Sequence, residues 1–216
     1  MNISENLKNI KNYTSSARII AVTKYVTTER VIEAYMAGIK DFGENKVQSA
    51  ENKLAELPEK VKANSNWHFL GHLQTNKIKK VVGKFDYIHS VDSLKLLKAI
   101  SECASSQNIV QKVFIQVNIA KEESKSGLMP EETDEIFSEI SKLDSLNIVG
   151  LMTMAPFTSD AEEQRSVFRG LRELRNKLQE KFNISLNELS MGMSNDYKIA
   201  VEEGATMVRI GQALFS

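Results

Sequence analysis

Arg18-Ile19-Ile20-Ala21-Val22-Thr23 is a short, β-branched apolar run, and Thr27 or Thr28 follows it as a helix start whose helix ends at Gly38. A second, very short strand reads around residues 39–42. A brief continuous apolar run marks a strand buried on both faces, and a helix between two such strands joins them in parallel through a right-handed crossover. The unit then recurs. Further strands read at 67–70, 87–90, 113–118, 148–152, 189–191 and 207–210, with helical patterns between them, for example at 94–100 and 167–178.

A polar helix at about residues 2–16 precedes the first strand. Eight strands alternating with helices predict an α/β fold, a closed (β/α)8 barrel of the TIM type with an extra N-terminal helix. An open doubly wound sheet is the alternative, because the second and seventh strands are short. No Pro/Ser-rich linker or composition shift divides the chain, which reads as a single domain over residues 1–216.

Composition narrows the function. Lys plus Arg and Asp plus Glu both number 28, for a formal net charge of zero, whereas binders of nucleic acid or anionic membranes carry a basic excess or stripe. The densest basic run, Lys77-Ile78-Lys79-Lys80, reads as a solvated helical face. Cys103 is the only cysteine, so no intrachain disulfide forms, and in its Ala/Ser-rich helix it reads as a small buried residue. The N-terminus lacks the basic and apolar regions of a signal peptide, and no apolar run approaches the ~20 residues of a membrane span. A soluble, cytoplasmic protein is expected.

In such barrels chemistry gathers where strands end and βα loops begin. The unusual residues fall there: Lys24, Gly43-Glu44-Asn45, His68 with Gly71-His72, Asn118, the stretch 152–156, Ser194, and Arg209 with Gly211. Lys24 at the mouth of the first strand reads either as a snorkelling side chain or as a partly desolvated amine. Desolvation favours the neutral form, which is the nucleophile that makes imines. In Gly192-Met193-Ser194-Asn195-Asp196 a glycine turn leads toward a helix, with Ser194 a candidate N-cap whose hydroxyl and neighbouring N–H groups suit a phosphate. Gly211 lets backbone approach a ligand closely after the last strand. Against these readings, Ser194 is merely a cap and Gly211 merely a turn. No GxGxxG or P-loop pattern supports a dinucleotide or a nucleoside triphosphate. The His68/His72 spacing hints at a metal, but Gly71 breaks the helical register and the HExxH glutamate is absent.

Several motifs in order, from Ala21-Val22-Thr23-Lys24 through Phe42-Gly43-Glu44-Asn45-Lys46-Val47-Gln48, Trp67-His68-Phe69-Leu70-Gly71-His72-Leu73-Gln74-Thr75-Asn76-Lys77 and Ser124-Lys125-Ser126-Gly127 to Gly150-Leu151-Met152-Thr153-Met154, Leu189-Ser190-Met191-Gly192-Met193-Ser194 and Val208-Arg209-Ile210-Gly211, resemble the pyridoxal phosphate homeostasis proteins. The resemblance runs almost end to end. It implies pyridoxal 5′-phosphate as cofactor, with Lys24 forming the Schiff base, Ser194 and the backbone at Gly211 holding the phosphate, and Arg209 facing the pyridine nitrogen. It further implies Asn45 beside the cofactor, Met152 lining the pocket, His68 in the pocket region and Lys125 near the phenolic oxygen. The chain departs from the family at Gln212, where Thr or Ser is usual; the backbone N–H survives that change, and binding is expected to persist. It also stops slightly short of the usual tail.

The resemblance implies a carrier or buffer of the cofactor, with PLP-dependent apo-enzymes as partners and a monomeric state. Arg209 stays charged and cannot accept a proton, so the ring nitrogen stays unprotonated and the electron sink shallow, which disfavours transamination and decarboxylation. The alternative is a minimal amino-acid racemase, since the related alanine racemases also use arginine there. Their second acid/base group is a tyrosine from an added β-domain, for which this chain has no room; Tyr25 and Tyr197 read as packing or shaping residues.

Overall fold

The computed structural model describes residues 2–14, 16–122, 125–158 and 160–216. Its strands are β1 (Arg18–Val22), β2 (Asp41–Glu44), β3 (Asn66–Phe69), β4 (Tyr87–Val91), β5 (Gln111–Gln116), β6 (Leu146–Met152), β7 (Glu188–Met193) and β8 (Met207–Ile210). Every neighbouring pair is parallel, and β8 pairs back onto β1 through Ile20↔Arg209 and Ala21↔Ile210, so the sheet closes in the order β1 to β8. The closed barrel is therefore the fold, and the open sheet is excluded.

The helices are α1 (Ile3–Lys11), α2 (Thr28–Met36), α3 (Val47–Glu56), α4 (Glu59–Ala63), α5 (Leu94–Ser106), α6 (Thr133–Glu139), α7 (Ala161–Phe182), α8 (Tyr197–Glu202) and α9 (Gln212–Phe215). Between β3 and β4 the chain makes a 3-10 turn, Thr75–Lys80, in which Ile78 is buried and Lys77, Lys79 and Lys80 are exposed. That is the solvated face expected of the lysine run. Cys103 is half-buried on α5, where its Sγ accepts a hydrogen bond from Gln107. Among the described residues no helix is long and apolar enough to cross a membrane.

Several boundaries differ from the sequence reading, β5 for instance running from Gln111 to Gln116 rather than over 113–118, and two of the shifts have a clear local reason. Residues 39 and 40 do not join β2, because Gly38 at φ +103° turns the chain out of α2 and the Ile39 N–H returns to Ala34 C=O at 3.0 Å. Gly38 N–H bonds Tyr35 C=O alongside it, completing a Schellman stop that consumes Ile39. The opening helix ends at Lys11 rather than near residue 16, since Thr14 Oγ1 folds back onto Ile10 C=O at 3.2 Å.

Closure creates two cores. The larger lies between strands and helices and includes Leu7, Val31, Leu97, Phe168 and Leu171. The smaller fills the barrel with Ile20, Tyr87, Phe114, Met152 and Met207. On α7, Arg165, Arg169 and Arg172 converge on the buried Glu203 carboxylate at 3.1–3.2 Å, fastening the end of α8 to the outer layer. At the upper rim Lys53 of α3 reaches the buried Glu44 at 2.5 Å and Thr23 C=O at 2.5 Å, while Thr23 Oγ1 donates to Glu44 at 2.6 Å. This knot clamps the ends of β1 and β2 one residue before Lys24 and Asn45.

Removing one member of a buried ion pair strands the other charge. Lys53→Met is accordingly expected to lower unfolding free energy by about 3–5 kcal/mol, with Glu44→Leu in the same chain recovering most of it. Urea denaturation midpoints read both; a single variant as stable as wild type would show that the knot carries no such strain.

Candidate functional site

The C-terminal ends of β1, β6, β7 and β8 surround a cavity of about 1120 Å³. It is lined by Lys24, Asn45, Lys125, Met152, Ser194, Arg209, Gly211 and Gln212 among others, so eight of the nine positions singled out in the sequence share one space. The ninth, His68, does not. Its ring lies fully buried inside the barrel below the cavity, stacked on Tyr87 at 4.6 Å and bonded to Asp41 and His89. Inward pointing from the middle of β3, not the rim, explains the difference.

Lys24 follows directly from the clamped end of β1, but its side chain is exposed at the cavity mouth, with Nζ 5.1 Å from the Tyr25 ring centroid. Of the two sequence readings of Lys24, the exposed one describes its side chain here: it stands at the opening beside Tyr25, which is 86% exposed. Tyr197 by contrast is buried and meets Tyr13 edge-on. Asn45 is held from behind by Gly71, where an added Cβ would fall 1.9 Å from the Asn45 carbonyl oxygen. Its Oδ1 is buried with no partner among the described residues.

Ser194 is not a helix cap. Gly192 at φ +91° packs against Tyr197 and Ala200 too closely for a Cβ, and the turn runs on to Asp196, which caps α8. Ser194 Oγ instead accepts from Ala213 N–H at 3.2 Å, tying the turn after β7 to the turn after β8. Its own proton faces no protein acceptor among the described residues, and neither do the N–H groups of Ser194, Asn195, Gly211 and Gln212. A crescent of unpaired donors on one cavity wall is what a phosphate dianion requires. At Gly211 a Cβ would meet Val22 only at 3.6 Å, so the protein itself leaves that approach open. The Gln212 side chain is exposed.

Arg209 is 5% exposed, yet it makes no salt bridge among the described residues. One terminal nitrogen donates to Ser190 Oγ at 2.8 Å and the other to Thr153 C=O at 2.9 Å. Burial brings its pKa down to about 10, with Asp196 pulling the other way, so it remains a cation at neutral pH. Burial in turn raises the Asp196 carboxyl, which accepts from Met193 N–H. Asn118 binds the loop carbonyls of Glu122 and Lys125, so it shapes the segment that brings Lys125 to the cavity. Ser124 of that motif lies outside the described residues. His72 turns outward toward Asp92 at 3.3 Å, away from His68, and no cluster able to hold a metal occurs among the described residues.

An amine at the mouth and a crescent of free donors suit a ligand that carries both an electrophilic carbon and an anionic group. Sequence reasoning missed Ser190, Thr153 and His89; their signal was a polar residue at an inward position of a strand otherwise apolar.

The chain matches the model of the alanine racemase N-terminal domain over residues 1–216. It is 44% identical over 199 residues to the pyridoxal phosphate homeostasis protein of Aquifex aeolicus, covering 92% of this chain and 86% of the relative. To that of Schizosaccharomyces pombe it is 34% identical over 91% of this chain and 82% of the relative. The structure of PipY from Synechococcus elongatus with PLP bound superposes with a TM-score of 0.90 at 38% identity, covering 99% of this chain and all (100%) of that one. An alanine racemase of Clostridium difficile shares the fold alone, at 18% identity and TM-score 0.80, with 56% of its length covered. By fold, motif order and relatives, the chain belongs to the pyridoxal phosphate homeostasis proteins of the alanine racemase N-terminal domain family.

Proposed function

We propose that this protein binds pyridoxal 5′-phosphate covalently through Lys24 and serves as a carrier or buffer of the cofactor. The observation that carries the reading is the convergence on one cavity of Lys24, Arg209 and the free donors at Ser194, Asn195, Gly211 and Gln212. The PLP bound by PipY, a relative of 38% identity over 99% of this chain, supports the same ligand. Lys24 supplies the amine, Ser194 and the neighbouring N–H groups bind the phosphate, and Asn45 and Met152 flank the ring. Lys125 lies on the same cavity and complements the phenolate.

The cofactor, when bound, supplies an electron sink in its pyridine ring. Arg209 limits that sink: a cation with pKa near 10 offers the ring nitrogen a donor and never a proton acceptor's negative charge. The cavity's other proton-exchanging groups argue for holding rather than turnover. Tyr25 sits beside Lys24 on the same side, 5.1 Å from its nitrogen, so the two do not frame opposite faces of a substrate. An open mouth rimmed by exposed Tyr25 and Phe157 suits hand-over to apo-enzymes.

Purified protein mixed with pyridoxal 5′-phosphate is expected to turn yellow, and borohydride to fix the label on the peptide carrying Lys24. Lys24→Ala removes the colour; a wild-type protein that stays colourless refutes the site. Ser194→Ala is expected to weaken retention by roughly 1.5–3 kcal/mol, about ten- to a hundredfold in dissociation constant, as read by dialysis equilibrium. With L-alanine in heavy water the loaded protein should leave the α-proton unexchanged, and sustained enzyme-like exchange would instead establish the racemase.

A further inference from the structure

Five polar side chains form a continuous line through the barrel interior. Arg209 donates to Ser190 Oγ at 2.8 Å; Ser190 Oγ lies 2.9 Å from His89 Nδ1; His89 Nε2 lies 2.9 Å from His68 Nδ1; and His68 Nε2 lies 3.0 Å from Asp41 Oδ1. Ser190, His68 and His89 are fully buried, at 0% exposure. The line begins at Arg209 on the cavity wall and ends at Asp41, the first residue of β2, at the opposite mouth of the barrel.

Donor chemistry leaves this line one direction. A guanidinium has only donors, so Ser190 Oγ accepts from it and sends its single proton to His89 Nδ1. His89 must then carry its proton on Nε2 and donate it to His68 Nδ1. His68 likewise carries Nε2–H, which ends on the Asp41 carboxylate. Every hydrogen bond points from the cation to the anion, and aligned bonds of this kind strengthen one another in a low dielectric.

Both imidazoles are kept neutral. Burial, followed by the neighbouring His68, Arg209 and Arg18, drives His89 well below the ordinary histidine range. Burial also outweighs Asp41 at His68. The charged or titratable groups around the pair are Asp41 on β2, Arg18 on β1, Tyr87 on β4 with Lys112 of β5 over its ring, Asp86 before β4, and Arg209 on β8. At Asp41, burial is overcome by the hydrogen bonds from His68 and Asn66 and by the charge of Arg18, so the carboxylate stays ionised. Stacking of His68 on Tyr87 and of His89 on Phe114 at 4.2 Å holds both rings in the line.

We infer that Asp41, His68, His89 and Ser190 are positioning residues acting as one polarised relay, through which the charge at the base of the barrel orients Arg209 at the cofactor cavity. With one terminal nitrogen on Ser190 and the other on Thr153 C=O, the guanidinium plane is fixed from behind. Asp41 thereby sets what the ring nitrogen of the cofactor meets, from the opposite end of the barrel. This second consequence rests on the reading of the cavity as a pyridoxal 5′-phosphate site; the relay itself does not.

The test has two arms. In the cofactor-free protein, ¹⁵N NMR of the histidine rings at neutral pH is expected to show both His68 and His89 as neutral Nε2–H tautomers. Asp41→Asn should shift the His89 ring signals although His89 does not touch Asp41. A ring protonated at Nδ1, or His89 signals unmoved by Asp41→Asn, would overturn the relay. In the loaded protein, Asp41→Asn and Ser190→Ala should displace the cofactor absorption maximum in the same direction at fixed pH. Ser190→Thr should restore it, and Glu139→Gln, in the outer helical layer where it pairs with Lys98 and Lys142, should leave it in place. Displacement by Ser190→Ala but not by Asp41→Asn would sever the base from the site and overturn the inference. A protein that takes up no cofactor fails only the reading of the cavity and leaves the NMR arm decisive.

Discussion

A cation held inside a closed barrel governs this structure. Arg209 is buried and makes no salt bridge among the described residues, so its charge is met by oriented dipoles and by carboxylates farther off. Ser190, the two histidines and Asp41 supply that arrangement across the barrel, and the apolar packing of Ile20, Tyr87, Phe114, Met152 and Met207 around them keeps the local dielectric low enough for it to matter. The core of the barrel is thus part of the site it supports.

The barrel rim obeys the same rule with different parts. Glu44 is as deeply buried as any core residue, and Lys53 and Thr23 neutralise it where β1 and β2 end. Fixing those ends fixes the backbone origin of Lys24 while leaving its side chain free at the mouth. A fixed base with an exposed tip fits the role proposed for Lys24. On the far wall Ser194 joins two turns through Ala213 and keeps its own proton for a ligand.

Much of this was legible in the residues. The strands announced themselves because both faces are buried, one by helices and one by the barrel interior, which leaves continuous apolar runs such as Ile19–Val22 in place of alternation. Lys24, Ser194, Arg209 and Gly211 stood out as polar or flexible residues at strand ends. What escaped was whatever depended on contacts remote in sequence. His68 shares a hydrogen bond with a residue 21 positions away, and His89 with one 101 positions away, so nothing local to either tells a cavity residue from a buried one. The role of Ser194 as a cap failed for a nearer reason: Gly192 turns the chain two residues before the helix is ready to start, and Asp196 takes the end instead.

The seam between β1 and β8 joins parts far apart in sequence. Lys24 follows the first strand, whereas Ser194 and Asn195 follow β7 and Arg209, Gly211 and Gln212 come with β8. Asn6 of α1 donates to the carbonyls of Leu214 and Ser216 in the final turn, joining the two termini. A chain cut before β7 would therefore keep Lys24 and lose the donors and the guanidinium that share its cavity.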